Sequence, residues 1–380
     1  MKPTIDELML KYYGPSKMIR KAAVVSETAG SGTYWEPLYG KKAWSQLNLE
    51  PNIFAVIPKE PFMKTGFRLL TARAHSSGGG IAESTTGGAV PSPQKLTFKQ
   101  VSAKPKTIAH TFDLGELAEY LGSIDDAIEL LPTYRQEIGD EHIFCINKML
   151  GAKAEDGAAG DNMESVDRII SSYAERNGNS EFASGEADIY GLDRDADSAV
   201  TAVTSAHVVE NDGVDRDLTL TLIDTVLQYI WEGSTSPGGY TIEGGGKPKV
   251  VMTKTNTLMR WQQLLEAERR FMDTARIVPT FGGVRGPAPG IETGFMVSTY
   301  FGIPIIPSQH VNNRDTIGGI YFLDTDFLKV AVAKPTTYSE TGRSEGYLYR
   351  GYFAIEGMYE TMAELRSYRF SCHGKLVDLK

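Results

Sequence analysis

HSSGGGIAESTTGGAVPSPQ, residues 75–94, holds five glycines, six Ser/Thr and two prolines, with one glutamate and no lysine. Both flanks read as strand: GFRLLTARA (66–74) before it, KLTFKQVSAKPKTIAHTF (95–112) after it. Structureless segments of this length are uncommon in compact domains and are functional or disordered when they occur. The stretch is therefore read as the tip of a long β-hairpin, too polar and glycine-rich to pack a core of its own.

Upstream, residues 4–13 are predicted as a short amphipathic helix, with Thr4 and Glu7 spaced as a capping box and Gly14-Pro15 ending it. Residues 16–52 are irregular and carry Tyr34, Trp35, Tyr39 and Trp44, rings that an arm must bury in its own body or in a neighbour's. IFAVIPKEP (53–61) reads as a strand.

Downstream, Asp113 and Glu116 are placed to cap a short helix over 114–121. From Ile124 to Lys153, Ile128, Leu131, Ile138, Ile146 and Leu150 recur at helical spacing, with a kink or short break expected at Pro132. Thirty residues of helix would span ~45 Å, a rod rather than the core helix of a compact enzyme. Further helices are predicted at 166–177, 220–233 and 255–272. KVVMT (249–253) reads as a buried strand, 295–308 as strand-turn-strand, 320–334 as two strands, and GGVRGPAPGIETG (282–294) as a second loop. In the tail, 347–370, Tyr347, Tyr349, Phe353, Ile355, Tyr359, Ala363 and Leu365 share one parity. Arg350, Glu356, Glu360, Glu364 and Arg366 share the other, the pattern of a half-buried strand.

The bulk numbers narrow the classes. The chain has 380 residues, 41% hydrophobic and 23% charged, enough to bury a large core. Glycine, at 39 residues, is well above the ordinary share of about 7% and predicts many turns. A net charge of −9 gives no basic face for duplex phosphate, which speaks against sequence-specific nucleic-acid binding. Cys145 and Cys372 are far apart with no CxxC, so both are read as small core residues. The N-terminus lacks the apolar core of a signal peptide, and no run of 18 apolar residues occurs. Beginning at Met1, the chain is expected to carry no cleaved leader.

Motifs for chemistry fail on inspection. GGGKP (244–248) has Thr at 241 and Pro248 where a P-loop needs glycine and a magnesium-holding hydroxyl. GSGTYW (30–35) lacks the third glycine of a dinucleotide fingerprint. EHIFC (141–145) sets one His and one Cys on one helical face without further ligands, so a satisfied core or interface pair is expected. Cys372-His373, adjacent on a strand, would point to opposite faces, bad geometry for a nucleophile and its base. Asp193, Asp195 and Asp197 alternate like a calcium loop, yet Ser198 and Thr204 stand where glycine and glutamate are required. No catalytic residue, metal or cofactor is assigned.

An aromatic-rich arm, a glycine-tipped hairpin, a rod helix, an α/β body and a returning C-terminal strand stand in this order. It is carried by residues 97–121 leading into the rod, KPKVVMTKTNTLMRWQQLL (247–265), YFGIPIIPSQHV (300–311) and IYFLDTDFLKVAV (320–332). The layout resembles the major capsid proteins of tailed bacteriophages and archaeal tailed viruses, the Hong Kong 97 phage fold. The resemblance implies an α+β class with four parts. Residues 1–55 would be an N-terminal arm and 56–112 an extended loop. Residues 113–159 and 325–365 would form a peripheral domain with the spine helix, and 160–324 and 366–380 an axial domain. It further implies a non-catalytic subunit whose principal partner is itself. Hexamers and pentamers would close an icosahedral shell around double-stranded DNA, in a virion assembled in the host cytoplasm. Scaffold, portal and decoration proteins are further candidate partners; no membrane is involved.

On that resemblance, Arg73, Glu83, Lys95 and Lys99 on the loop are expected to face Glu360, Glu364 or Arg366 of a neighbour's tail strand, each weighed against being merely solvated. Arg285, Asn312, Asn313, Arg314 and Asp315 are expected in axial loops near a symmetry axis. Some relatives crosslink a loop lysine to a neighbour's asparagine; with no lysine between Lys64 and Lys95 no such mesh is expected. The alternatives are an encapsulin-like cellular shell of the same fold, or a cytosolic α/β enzyme using 75–94 as a lid.

Overall fold

The computed structural model describes residues 52–62, 64, 66–72, 96–115, 120, 130–152, 162–178, 188–195, 198–267, 273–277, 295–311, 317–340 and 354–380. The expected first helix, the aromatic arm, the tip at 75–94, the loop at 282–294 and the first residues of the rod lie outside them.

The first described segment departs from the single strand predicted over 53–61. Asn52–Val56 is a helix, α1, and only Lys59–Pro61 is strand, β1. Ile53 and Ile57 are both fully buried and four residues apart, so one helical turn puts both inside. Next, β2 (Gly66–Ala72) and β3 (Thr97–Ser102) pair antiparallel as a two-stranded ribbon. β4 (Lys106–Gly115) is separate from β3, because Pro105 has no amide to continue the ladder. It also runs past the predicted helix start at 114: Ile108, Phe112 and Leu114 are buried at even positions, one strand face. The rod is α2 (Leu130–Gly151), ~33 Å at 1.5 Å per residue and unbroken through Pro132.

The helix predicted over 166–177 is two pieces, α3 (Val166–Ile169) and α4 (Tyr173–Gly178). Ser171 and Ser172 sit in the break, and their hydroxyls bind nearby backbone in place of helix bonds: Ser171 donates to the Arg168 carbonyl, and Ser172 accepts from the Glu175 amide. Then follow α5 (Ser198–Val203), β5 (His207–Val209) and α6 (Leu220–Glu232). α6 matches its prediction, capped by the Thr219 hydroxyl on the Leu222 amide. After it come β6 (Gly233–Thr235), β7 (Thr241–Glu243), β8 (Val250–Thr253) and α7 (Thr255–Ala267). β9 (Asp273–Ile277), β10 (Phe295–Tyr300), β11 (Ile303–Pro307), β12 (Ile320–Leu323), β13 (Leu328–Glu340), β14 (Ala354–Ser367) and β15 (Gly374–Leu376) complete the order.

The chain divides into two compact units. One draws on 108–144 and 336–361, the other on 50–107, 145–335 and 362–380. In the smaller unit the Phe112 ring stacks on Tyr338 (centroids 6.3 Å apart), and Tyr359 donates to the Arg135 carbonyl at 2.8 Å. His142 is fully buried and satisfied at both nitrogens: Nδ1 lies 2.8 Å from His110 Nδ1, and Nε2 lies 2.7 Å from Thr361 Oγ1. Burial, then the neighbouring His110, lowers its pKa to about 4.

The larger unit is built on a seven-stranded sheet, order β5-β15-β12-β8-β11-β10-β9. One face carries α6 and α7: Ile223, Val226, Leu227, Ile230 and Trp261 pack with Val251, Ile305, Ile320, Phe322 and Leu376. The opposite face carries α3 and α4, reached by the alternate residues Lys375 and Tyr321. The run Gly244-Gly245-Gly246 closes α6. The Gly245 and Gly246 amides take the Trp231 and Ile230 carbonyls at 2.8 and 3.0 Å, orphans of the helix end. That is a structural use of the glycines that a P-loop reading would have given to phosphate.

Gly246 has no room for a side chain. A Cβ there would stand 2.8 Å from Cys372 Cα and 2.7 Å from Ile230 Cγ2. Gly246→Ala is expected to destabilise by about 1–3 kcal/mol in denaturant unfolding. Gly115→Ala, which meets nothing within 4 Å, should leave the midpoint unmoved.

Candidate functional site

The β2–β3 ribbon is amphipathic by strand parity. Leu69, Thr71 and Val101 are buried on one face. On the other, Leu70 and Phe98 are register partners, 41% and 53% exposed, with Leu96 exposed beside them. A cross-strand pair of this kind stabilises a sheet by packing, yet here it is presented to solvent. Scattered apolar residues on a surface need no explanation; Leu70, Phe98 and Leu96 instead form one contiguous apolar set on the ribbon.

The base of the ribbon is fixed. Arg366, on β14 and 4% exposed, donates to the Lys64 carbonyl at 2.7 Å and to the Ala103 carbonyl at 3.0 Å. Those are the residues just before β2 and just after β3. Its guanidinium also lies over the Phe62 ring at 4.0 Å. Phe67 meets Tyr368 edge-on at 5.3 Å, and Tyr190 donates to the Leu365 carbonyl at 2.6 Å.

Beside this clamp lies a buried ionic cluster. Lys375, fully buried, bonds Asp167 Oδ1 at 2.9 Å and Glu175 Oε1 at 2.7 Å, with Arg176 3.8 Å from Asp167. Glu164 pairs with Arg168 at 3.1 Å. Arg194 donates to Ser171 Oγ at 2.9 Å, and burial lowers its pKa to about 9. Glu364, 2% exposed, accepts from the Glu164 and Leu365 amides at 2.8 and 3.0 Å. Burial pushes its carboxyl up to about 8, with the Glu164 charge adding and Lys106 opposing. Glu164 is raised too, by burial, against the pull of Arg168.

The predicted contact residues thus separate. Glu364 and Arg366 are buried within the chain and bound to it, because the second face of β14 is covered there. Lys99 and Glu360 are half-buried on β3 and β14. Arg73, Glu83 and Lys95 lie outside the described residues, as do the axial-loop candidates Arg285, Asn312, Asn313, Arg314 and Asp315. Cys372 is buried, its thiol raised to about 11 by burial; Cys145 is half-buried. His373 is a core histidine, Nδ1 accepting from the Asp324 amide at 3.1 Å and Nε2 3.2 Å from Ser367 Oγ. Among the described residues no group of three or more His, Cys, Asp or Glu is arranged to hold a metal, and no helix is long and apolar enough to cross a membrane. The ionic cluster and the Arg366 clamp escaped sequence reading; a run of charges on one parity of the tail strand gave no sign of them.

No protein-family model and no curated protein matches the sequence. Solved structures do. The Cyanophage A-1(L) capsid subunit superposes with a TM-score of 0.57 at 12% identity, over 89% of this chain and 95% of that one. A capsid chain of the native GTA particle gives 0.56 at 12%, over 92% and 97%. The SrpI encapsulin of Synechococcus elongatus gives 0.53 at 10%, over 90% and 92%. The chain has the Hong Kong 97-type fold, mixed α and β, shared by these shells.

Two variants test the clamp. Arg366→Lys keeps the charge but loses the planar guanidinium whose Nη2 reaches both carbonyls, and with it the ring contact. Amides of β2 and β3 are expected to exchange about tenfold faster or more, the size of one charged hydrogen bond; unchanged protection would remove the clamp. For Glu364 the folded state holds its proton more tightly than the unfolded chain, whose carboxyl titrates near ~4.3. Its contribution is therefore full at low pH and is lost as pH rises through about 8. Buried His142, His207 and His373, all lowered, act oppositely and below ~6.5. Glu364→Gln, which keeps the accepting oxygen, should match the parent near pH 4, exceed its stability increasingly from about pH 5 to 8, and hold a constant margin above that.

Proposed function

We propose that the protein is a non-catalytic shell subunit, the major capsid protein of a tailed virus, assembling into hexamers and pentamers of an icosahedral capsid around double-stranded DNA. The observation that carries this reading is the β2–β3 ribbon, anchored at its base and apolar on its solvent face, in a chain with the fold of solved capsids. A lone protomer gains nothing from Leu70 and Phe98 in water; a copy lying under the ribbon would bury them.

In this reading residues 1–55 are the arm and 56–112 the extended loop. Residues 113–159 and 325–365 form the peripheral domain with α2 as its spine, and 160–324 with 366–380 form the axial domain. Arg73, Glu83, Lys95 and Lys99 on the loop and Glu360 on the tail set register between copies, since charges across an interface choose partners more than they add affinity. Arg285, Asn312, Asn313, Arg314 and Asp315 line the axial openings. The net charge of −9 repels packed phosphate within a Debye length of about 8 Å, so the wall does not grip its contents. The encapsulin likeness over nine-tenths of the chain supports a second reading, a cellular shell around protein cargo.

Expressed protein is expected to elute from size exclusion as capsomers or megadalton particles and to show closed shells by negative-stain microscopy. Nuclease-protected DNA in particles from the native source supports the capsid; protein cargo without nucleic acid supports the cellular shell. A stable monomer at micromolar concentration, with turnover of a small molecule, would falsify both.

A further inference from the structure

Two features lie at the surface of the larger unit. The first is a turn. β10 and β11 pair Tyr300 with Ile303, leaving a two-residue loop of Phe301 and Gly302. Both have positive φ, 50° and 77°, as a type I′ turn requires. The first place in such a turn belongs to Asn, Asp or Gly; a bulky residue there is strained. Phe301 is nonetheless 65% exposed, edge-on to the Trp231 ring at 6.1 Å, itself 46% exposed at the end of α6. Strain of this kind persists at surfaces that use the side chain it presents.

The second is an open recess of about 980 Å³. Tyr173 of α4, Tyr240 at the tip of the β6–β7 hairpin, and Asp195, Glu210 and Asp212 line it. Its position is opposite in kind. Phe301 and Trp231 belong to the α6/α7 layer, while Tyr240 binds the Ala174 amide of α4, on the other face of the sheet, at 3.1 Å. Glu210 follows β5, the edge strand furthest from β9 and β10. The aromatic layer also bears exposed Arg260 and Met259 on α7, a cation to set against the recess carboxylates.

We infer that Phe301, backed by Trp231, docks into the Tyr173–Tyr240 recess of a second copy of this chain, as a head-to-tail contact repeated around a ring. Two different patches on opposite layers suit a heterologous contact, which closes into a ring when its rotation permits. Aromatic anchors in desolvated pockets carry most of the free energy of such interfaces, and the opposed charges fix the docking angle. The inference rests on the shell reading above and names where one copy meets the next.

Phe301→Asn separates this contact from folding, because Asn-Gly is the preferred pair for the turn. The protomer is expected to melt higher than the parent, while ring and particle formation, read by sedimentation velocity, fall roughly tenfold or more. Thr241→Trp, an exposed strand position lining the recess, should block the same contact from the other side. Mixed, the two variants share one intact junction, the Phe301 of one and the recess of the other. They are expected to yield a dimer that neither makes alone. Parent-like assembly by either variant, or no dimer from two folded variants, overturns the contact. A parent protein that never associates sinks the shell reading instead.

Discussion

The guanidinium of Arg366 is the constraint on which the rest of the larger unit turns. A charge that is 4% exposed cannot be left without partners, and its partners are the two carbonyls at the feet of the ribbon, 302 and 263 residues back along the chain. The ribbon's exit angle is therefore set by the last fifteen residues. The same segment finishes the sheet: β15 lies between β5 and β12, and the Asp378 carboxylate takes the Asn211 and Gly213 amides at 2.6 and 3.1 Å. Nearly every residue from Met362 to Leu379 is buried or half-buried. Such distant contacts make folding slow by contact order. They also mean that the ribbon is anchored only when the C-terminal strand is in place.

The ionic cluster beside the clamp is costly in the same currency. Replacing a buried ion pair by apolar side chains is often neutral or stabilising, whereas deleting one partner costs about 3–5 kcal/mol. Lys375 cannot point elsewhere: its neighbours Gly374 and Leu376 face α6, so strand parity commits it to Asp167 and Glu175 on the opposite layer. The cluster thereby fixes α3 and α4 in register against the sheet, a specificity that an oily layer would supply less sharply.

Much of this was legible in the sequence. α6, α7, β8, the β10–β11 pair and the ribbon strands follow from periodicity, turn chemistry and caps. What failed did so for identifiable reasons. A five-residue apolar run at 53–57 fits helix and strand alike, and only the burial of Ile53 with Ile57 decides for the helix. The 166–177 helix breaks because buried Ser171 and Ser172 bind backbone locally, which a hydropathy pattern does not register. Glu364 and Arg366 read as the wet face of a half-buried strand. Alternation reports chemistry, not cover, and the cover comes from Phe62, Lys64, Ala103 and Glu164, far away in sequence. The Tyr300–Ile303 turn was found as a turn, but its type, and hence the misfit of Phe301, needs dihedral angles.

Set side by side, the unfavourable features fall in a pattern. In the interior, Lys375, Asp167, Glu175 and Arg366 are each held by partners within the chain, as are the rings of His142 and His373. The exterior ones are not: a bulky residue at positive φ, an indole 46% exposed, and an apolar ribbon face in water. Each could be relieved by one substitution, Asn at 301 or a polar residue at 70 or 98, so chemistry alone does not force them. Selection for the stability of a solitary protomer would have removed them, since local consistency is what sequences drift towards when nothing opposes it. Apolar surface of this kind is what burial against a second copy, as proposed for the shell, would relieve.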